Sequence, residues 1–290
     1  MSSVLAQHSS HHIPDLLLQE TRVTLVTCGI CYDVGLGRFC KLPESLIETL
    51  RDARRVVIFT GAGVSQESGI PTFRDRQTGL WANFDAAELA TPAAFDRDAG
   101  FVWGWYEWRR AAVERAAPNA AHRAIAQLAS RVPELTLVTQ NVDDLHERAG
   151  SPTVLHLHGR IARPYCESCR RPHAFSDTPT SHGEGRRIEP PRCAACRARI
   201  RPGVVWFGES LPVEEWQAAQ DAARRADLFF CVGTSAIVQP AASLTDLAID
   251  AGAVTVQVNP NATGIEQRVS FALRGPAGSV LPALLERAWP

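Results

Sequence analysis

Residues 56–75 read VVIFTGAGVSQESGIPTFRD, and their reading decides the fold. Val56 to Phe59 form a short β-branched and aromatic run that stops at Gly61-Ala62-Gly63. That is the pattern of a parallel strand buried on both faces. The glycines let the backbone turn sharply and come close to a ligand. Ser65, Glu67 and Ser68 suit a helix start, where unpaired N–H groups attract phosphate. Strand, glycine turn and helix start together are how a doubly wound sheet grips a dinucleotide pyrophosphate. The spacing of Gly61, Gly63 and Gly69 is not G-x-G-x-x-G, and the stretch runs on into Ile70-Pro71-Thr72-Phe73-Arg74-Asp75. Taken alone, the glycine turn fits a plain tight loop equally well.

Working outward, Leu42, Leu46, Leu50 and Ala53 keep helical spacing across 43–54, ahead of the first strand. Further buried strands are predicted over Leu135–Thr139, Thr153–Leu157, Ala226–Val232 and Ala253–Val258, with helices over Ala120–Arg131 and Gln239–Asp250. The alternation predicts an α/β fold, a doubly wound, parallel Rossmann-like sheet. Between its strands lie two departures. Residues 76–117 form a helical insertion, with Thr91 as cap, Pro92 at the first helical position and a run Phe101-Val-Trp-Gly-Trp-Tyr-Glu-Trp too aromatic for a surface helix. Residues 160–203 are rich in Arg, Pro and Cys and too poor in apolar residues to fold on a core of their own. Insertion and cysteine module together would make a second, smaller lobe. The large lobe would comprise 43–75, 118–159 and 204–290. Residues 1–42 read as an extension with a possible strand over Thr21–Cys28; Cys28, Cys31 and Cys40 lack a clear fourth metal ligand, and we read them as incidental.

The chain has 290 residues, net charge −1 and eight cysteines. Nothing in that balance draws it to nucleic acid. No apolar run reaches the roughly 18 residues of a membrane span. No export or mitochondrial leader is evident, so thiols or metal ligands are expected before disulfides, and the cytoplasm is the default location.

Cys166-x-x-Cys169 and Cys193-x-x-Cys196 are paired thiolates, with His173 and His182 between them. Two such pairs place four sulfurs around one Zn²⁺. A filled coordination sphere makes the ion structural, and it leaves no place for an activated water. The long separation of the pairs implies an extra loop near Ser176–Arg187.

Thr139-Gln140-Asn141-Val142-Asp143 and Leu155-His156-Leu157-His158-Gly159 follow predicted strands, where parallel sheets bind ligands. Strand alternation would turn His156 and His158 to the same side. His158 stands out by its place before Gly159; His122, His146 and His156 are read as structural. Val204-Val205-Trp206-Phe207-Gly208-Glu209, Gly233-Thr234-Ser235, Val258-Asn259 and Gly275-Pro276-Ala277-Gly278 are further blocks at or beside strand ends.

In their order these blocks resemble the motifs of the sirtuins, the NAD-dependent protein deacylases, over about residues 43–290. The resemblance implies NAD as co-substrate and one structural zinc. It makes His158 the general base, with Asn141 and Asp143 beside it in the catalytic site. Gln140 and Asn141 would meet the nicotinamide ribose and Asp143 the carboxamide. Gly61, Ala62, Gly63 and Ser65 would hold the phosphates, and Ile70, Phe73 and Arg74 the reacting end. Gly233, Thr234, Ser235, Asn259 and Ala277 would complete the NAD site. Val205, Trp206, Phe207 and Gly208 resemble the strand that pairs with an acyl-lysine peptide. The family's reaction transfers the acyl group to ADP-ribose and releases nicotinamide and free lysine.

Tyr106 and Arg109 lie at i and i+3, hence on one helix face. An arginine fork with a phenol beside it can hold a carboxylate. The pair resembles that of sirtuins that remove succinyl, malonyl or glutaryl groups, and Ala86 matches a position where a small side chain widens their acyl pocket. The rival readings are a plain deacetylase, a protein mono-ADP-ribosyltransferase on the same NAD site, and a non-catalytic NAD or acyl-lysine sensor.

Overall fold

The computed structural model describes residues 42–72, 85–175 and 186–290, with the short antiparallel pair Tyr32–Asp33 and Arg38–Phe39. Phe73, Arg74, His182, Cys28, Cys31, Cys40 and the strand expected over Thr21–Cys28 lie outside the described residues.

Six parallel strands build the main sheet: β1 (Arg55–Thr60), β2 (Glu134–Thr139), β3 (Val154–His156), β4 (Leu228–Val232), β5 (Val254–Asn259) and β6 (Phe271–Arg274). Their order across the sheet is β3-β2-β1-β4-β5-β6. This is the dinucleotide-binding order, and the direction in which strands are added across the sheet switches between β1 and β4. Along β1 the side chains alternate between two cores. Val56 and Ile58 pack with Leu46, Ile47 and Leu50 of helix α1 (Glu44–Asp52). Val57 and Phe59 pack on the opposite face. A strand buried on both faces is why this run is continuously apolar.

The first core also takes α3 (Ala120–Leu128) and α6 (Ala277–Ala288); the opposite one takes α4 (Val213–Arg225) and α5 (Ser243–Asp250). Asn119 caps α3: its Oδ1 accepts from the Ala121 and His122 amides at 2.9 and 3.4 Å, and His122 Nδ1 accepts from the Asn119 amide at 3.3 Å. Such a reciprocal cap stabilises a helix by about 1 kcal/mol. Thr91 caps the short helix Pro92–Arg97 as its sequence predicts. No described helix is long and apolar enough to cross a membrane.

Helix α2 (Ala99–Arg115) buries residues on every side, Trp103, Trp105 and Tyr106 among them. It is not a surface helix, which accounts for its aromatic density. A third core joins it to the cysteine module through Phe95, Cys166, Cys193, Ile200 and Trp206. The chain returning to Cys193 crosses α2 at two glycines. Ile188 donates to the Gly100 carbonyl at 3.0 Å, and a Cβ on Gly104 would stand 2.0 Å from the Arg186 carbonyl oxygen.

Candidate active site

The turn after β1 presses on the turn after β4. The Gly61 amide donates to the Val232 carbonyl at 3.0 Å and the Gly63 amide to the Gly233 carbonyl at 2.8 Å. A Cβ on Gly63 would fall 2.7 Å from Gly233 O, and one on Gly61 would fall 2.7 Å from Thr234 Cβ. These glycines therefore permit close approach of two protein loops. The helix begins at Gly63, not Ser65, and lasts four residues, Gly63–Gln66. The amide of Ser65 is spent on Ala62 O at 3.1 Å and that of Val64 on Gly61 O at 3.0 Å. Within 61–65 only the Ala62 amide has no backbone acceptor among the described residues, because the turn itself takes up those of Val64 and Ser65 and the loop after β4 those of Gly61 and Gly63.

Outside the switch point lies a cleft of about 400 Å³. Gly61, Ala62, Gly63, Ser65 and Ile70 line it from the first turn, and Gln140, Asn141, Asp143 and His158 from the ends of β2 and β3. Gly233, Thr234, Ser235 and Asn259 line the far side; Tyr106, Arg109 and Val205 to Gly208 line the near side. Two expected residues are not on its wall. Ala277 opens α6 and is buried in the main core. Ala86 is buried in the third core beside Ala90, and it is Ala90 that lines the cleft.

Ser65 is the hub of the first wall. Its Oγ donates to Asp143 Oδ2 at 3.0 Å and accepts from Asn141 Nδ2 at 3.0 Å. Asp143 Oδ1 accepts from the Leu145 amide at 3.1 Å. Burial pushes the Asp143 carboxyl up, against the hydrogen bonds from Leu145 and Ser65 that hold it down. Behind this wall His146 Nε2 lies 3.0 Å from Thr60 Oγ1, and Thr60 Oγ1 donates to Thr139 Oγ1 at 2.8 Å. Burial depresses His122 to about 4 and His146 to about 3, so both stay neutral. Opposite, Gln140 Nε2 donates to Thr234 Oγ1 at 2.8 Å and Asn259 Nδ2 to Thr234 O at 3.0 Å.

β3 ends at His156, and His158 sits in the following turn. The two histidines therefore do not share a side as alternation predicts. His156 is buried, with Nδ1 3.1 Å from Asn141 O and Nε2 2.8 Å from Glu147 Oε1. His158 lines the cleft, with Nδ1 3.0 Å from Gln140 O. A carbonyl only accepts, so Nδ1 carries the proton and Nε2 keeps its lone pair. Burial lowers the His158 pKa, opposed by that hydrogen bond.

The block 204–209 is a single antiparallel bridge, Val204 to Gly159, followed by a turn with Gly208 at φ +88°, not a continuous strand. Val205 N–H donates to His158 O at 2.9 Å, Trp206 N–H to Glu209 Oε2 at 2.8 Å and Phe207 N–H to Ala90 O at 2.9 Å. Beside it, Tyr106 and Arg109 are both buried. Burial raises the Tyr106 phenol and lowers the Arg109 guanidinium.

The sulfurs of Cys166, Cys169, Cys193 and Cys196 lie within 4.8 Å of one another, with Cys166–Cys196 at 3.4 Å and Cys169–Cys193 at 3.7 Å. A tetrahedral Zn²⁺ with bonds of about 2.3 Å sets sulfurs about 3.8 Å apart, so the cluster fits it. Each pair closes with the same turn. Arg170 and Arg197 follow the second cysteines at φ +60° and +64°, and their amides donate to Cys166 O and Cys193 O at 3.1 and 2.9 Å. The sequence carries no glycine to signal those left-handed positions.

The profile of the Sir2 family matches residues 61–240. The chain is 55% identical over 244 residues to an NAD-dependent protein deacylase of Methylococcus capsulatus, covering 84% of this chain and 96% of that one. It is 57% identical over 249 residues to NAD-dependent protein deacylase 1 of Pseudomonas aeruginosa, covering 85% and 99%. Among solved structures, a Sir2 homolog–NAD complex superposes with TM-score 0.79 at 43% identity, over 86% of this chain and 94% of the other. A Sir2 H116A complex with deacetylated p53 peptide and 3′-O-acetyl ADP-ribose superposes with TM-score 0.74 at 28% identity, over 84% and 97%.

Proposed function

This chain belongs to the Sir2 family of NAD-dependent protein deacylases, and from that premise we propose that it removes acidic acyl groups, succinyl or malonyl, from protein lysine, with acetyl as a lesser substrate. The observation that carries the acyl preference is the buried pair Tyr106 and Arg109 on one wall of the cleft. A guanidinium fork with a phenol beside it on a cleft wall has the geometry to hold a terminal carboxylate on the acyl chain through charge-assisted bonds.

NAD, when bound, supplies the ADP-ribosyl acceptor for the acyl group and nicotinamide as leaving group. The donors fit it. Ala62, Thr234 and Ser235, whose amides have no backbone acceptor among the described residues, line the cleft at the switch point, where a pyrophosphate seats in such sheets. Gln140 and Asn259 are steered toward the cleft by Thr234. Asn141 and Asp143, fixed by Ser65, present polar atoms at the reacting end, and Ile70 shields it. His158 takes the ribose hydroxyl proton on Nε2, while Gln140 O holds its Nδ1 proton and ring plane. On the peptide side the amides of 205–207 are engaged by the protein, so that segment meets an extended substrate with carbonyl acceptors, not amide donors. One zinc on the four cysteines holds the lobe that carries this wall.

The test is NAD with acetyl- and succinyl-lysine peptides of one sequence, products identified by mass spectrometry, for the wild type and Arg109→Met. Losing a charge-assisted contact costs about 1.5–3 kcal/mol, so kcat/KM on the succinyl peptide should fall roughly tenfold to a hundredfold while deacetylation changes far less. Equal losses on both peptides overturn the carboxylate clamp. ADP-ribosylated peptide as the main product would favour the transferase instead.

A further inference from the structure

Trp206 reads in the sequence as one residue of a peptide-binding strand, yet its side chain turns away into the third core, 3% exposed. It is held there from several directions. Its backbone amide donates to Glu209 Oε2 at 2.8 Å. Glu209 is gripped in turn by Arg201, Nη1 to Oε1 at 2.5 Å and Nη2 to Oε2 at 2.8 Å. The Arg201 guanidinium lies 3.7 Å from the centre of the Trp206 ring, and the Phe95 ring stands 5.2 Å away on a tilt of 44°. So fixed, the indole Nε1–H reaches Tyr106 Oη at 2.9 Å, inside the protein.

An indole N–H only donates, so the Tyr106 oxygen is the acceptor in that bond. It is the only hydrogen bond of the Tyr106 hydroxyl among the described residues. The phenol proton is left to point elsewhere, and the open direction is the cleft that Tyr106 lines. A hydroxyl that accepts a hydrogen bond is also polarised into a stronger donor. We propose that Trp206 is a specificity-determining positioning residue: its indole N–H fixes the Tyr106 hydroxyl as a proton donor aimed at a carboxylate on the acyl group. This rests on the acyl preference proposed above. It adds that the preference is set jointly from α2 and from the 204–209 loop, with Arg201 and Glu209 as the brace.

The experiment is a double-mutant cycle between Trp206→Phe and Tyr106→Phe, read as the ratio of kcat/KM on succinyl- and acetyl-lysine peptides, with KM and kcat separated. Trp206→Phe should lower the ratio about fivefold, chiefly through the succinyl KM, the size expected for one neutral hydrogen bond. In the Tyr106→Phe background the same change should move the ratio less than twofold, because no hydroxyl remains to orient. A purely structural role would move the ratio equally in both backgrounds, and that result overturns the proposal. Should the phenylalanine variant fold poorly, a benzothienylalanine at 206, which keeps the ring shape and removes only the N–H, must reproduce the fall; an unchanged ratio there also overturns it. If Tyr106→Phe is selective and the Trp206 changes are silent, this inference fails and the acyl preference stands. If Tyr106→Phe lowers both substrates alike, both fail together.

Discussion

Gly63→Ala tests whether the first glycine turn serves packing as well as ligand approach. The added methyl would sit 2.7 Å from the Gly233 carbonyl oxygen and 2.9 Å from its Cα, where ordinary contact begins at 3.4 Å. Both obstacles are backbone, so no rotamer relieves them, and Gly233 is itself at φ +59° with its own virtual Cβ 2.5 Å from the Val64 nitrogen. Overpacking of this kind costs about 1–3 kcal/mol. Moving the loops apart also stretches the 2.8 Å bond from Gly63 N to Gly233 O, worth roughly another 1 kcal/mol. The sum, about 2–4 kcal/mol, lowers the melting temperature by about 4–8 °C in a domain of this size. The displaced loops carry the Ala62, Thr234 and Ser235 amides, so the KM for NAD should rise about tenfold. Gly69→Ala is the control: φ +82° and nothing within 4 Å. It should cost only the left-handed strain of about 1–2 kcal/mol, with little change in the KM for NAD. Thermal unfolding and initial rates at varied NAD measure both variants. A Gly63→Ala protein that melts with the wild type and keeps its KM for NAD refutes the reasoning.

Two pH dependences follow from the buried histidines. Burial lowers the His158 pKa, so a base at that position is ready from below about pH 6.5 upward; kcat/KM should lose activity only on the acid side of that value, and an acid limb centred above pH 7, or turnover unchanged in His158→Ala, removes His158 from the role. His122 and His146 are depressed to about 4 and about 3, so the unfolded chain binds their protons first. Stability is full above about pH 6.5 and falls as pH drops toward 4, by up to about 1.4 kcal/mol per pH unit for each histidine. Urea unfolding across that range checks it, and His122→Gln should lessen the slope by that histidine's share, leaving the share of His146; a slope unchanged from the wild type refutes the assignment.

The strand β1 was legible because burial on both faces demands an unbroken apolar run. The α2 aromatics were legible as anomalous, though not what they pack on. Long-range facts were hidden. Nothing local says that Gly63 faces Gly233, that Ser65 turns from phosphate to Asp143, or that Ala277 faces the core. His158 stands out by its motif and lines the cleft, while the alternation argument fails because β3 ends at His156, before that residue. Helix α4 escaped notice because its buried positions are Ala219, Ala222 and Ala223, which pack closely on the sheet without the large apolar residues that mark a helical period. Trp206 reads as a peptide contact on its neighbours' account; only the fold reveals that its indole is buried in the third core.

The two halves of the cleft are fixed by different means, and this bears on how its chemistry can vary. At the turns after β1 and β4 the NAD side is set by main chain against main chain: glycine on glycine, amide on carbonyl. Almost any added atom there disturbs the whole wall. The acyl side is set by side chains reaching from α2 and from the cysteine-held lobe, joined by one indole N–H and braced by one ion pair. Exchanging Tyr106, Arg109 or Trp206 alters what the wall offers an acyl group while leaving the turns after β1 and β4 untouched. Selectivity for the acyl group should therefore be separable from use of NAD, whereas a change at Gly63 must carry both.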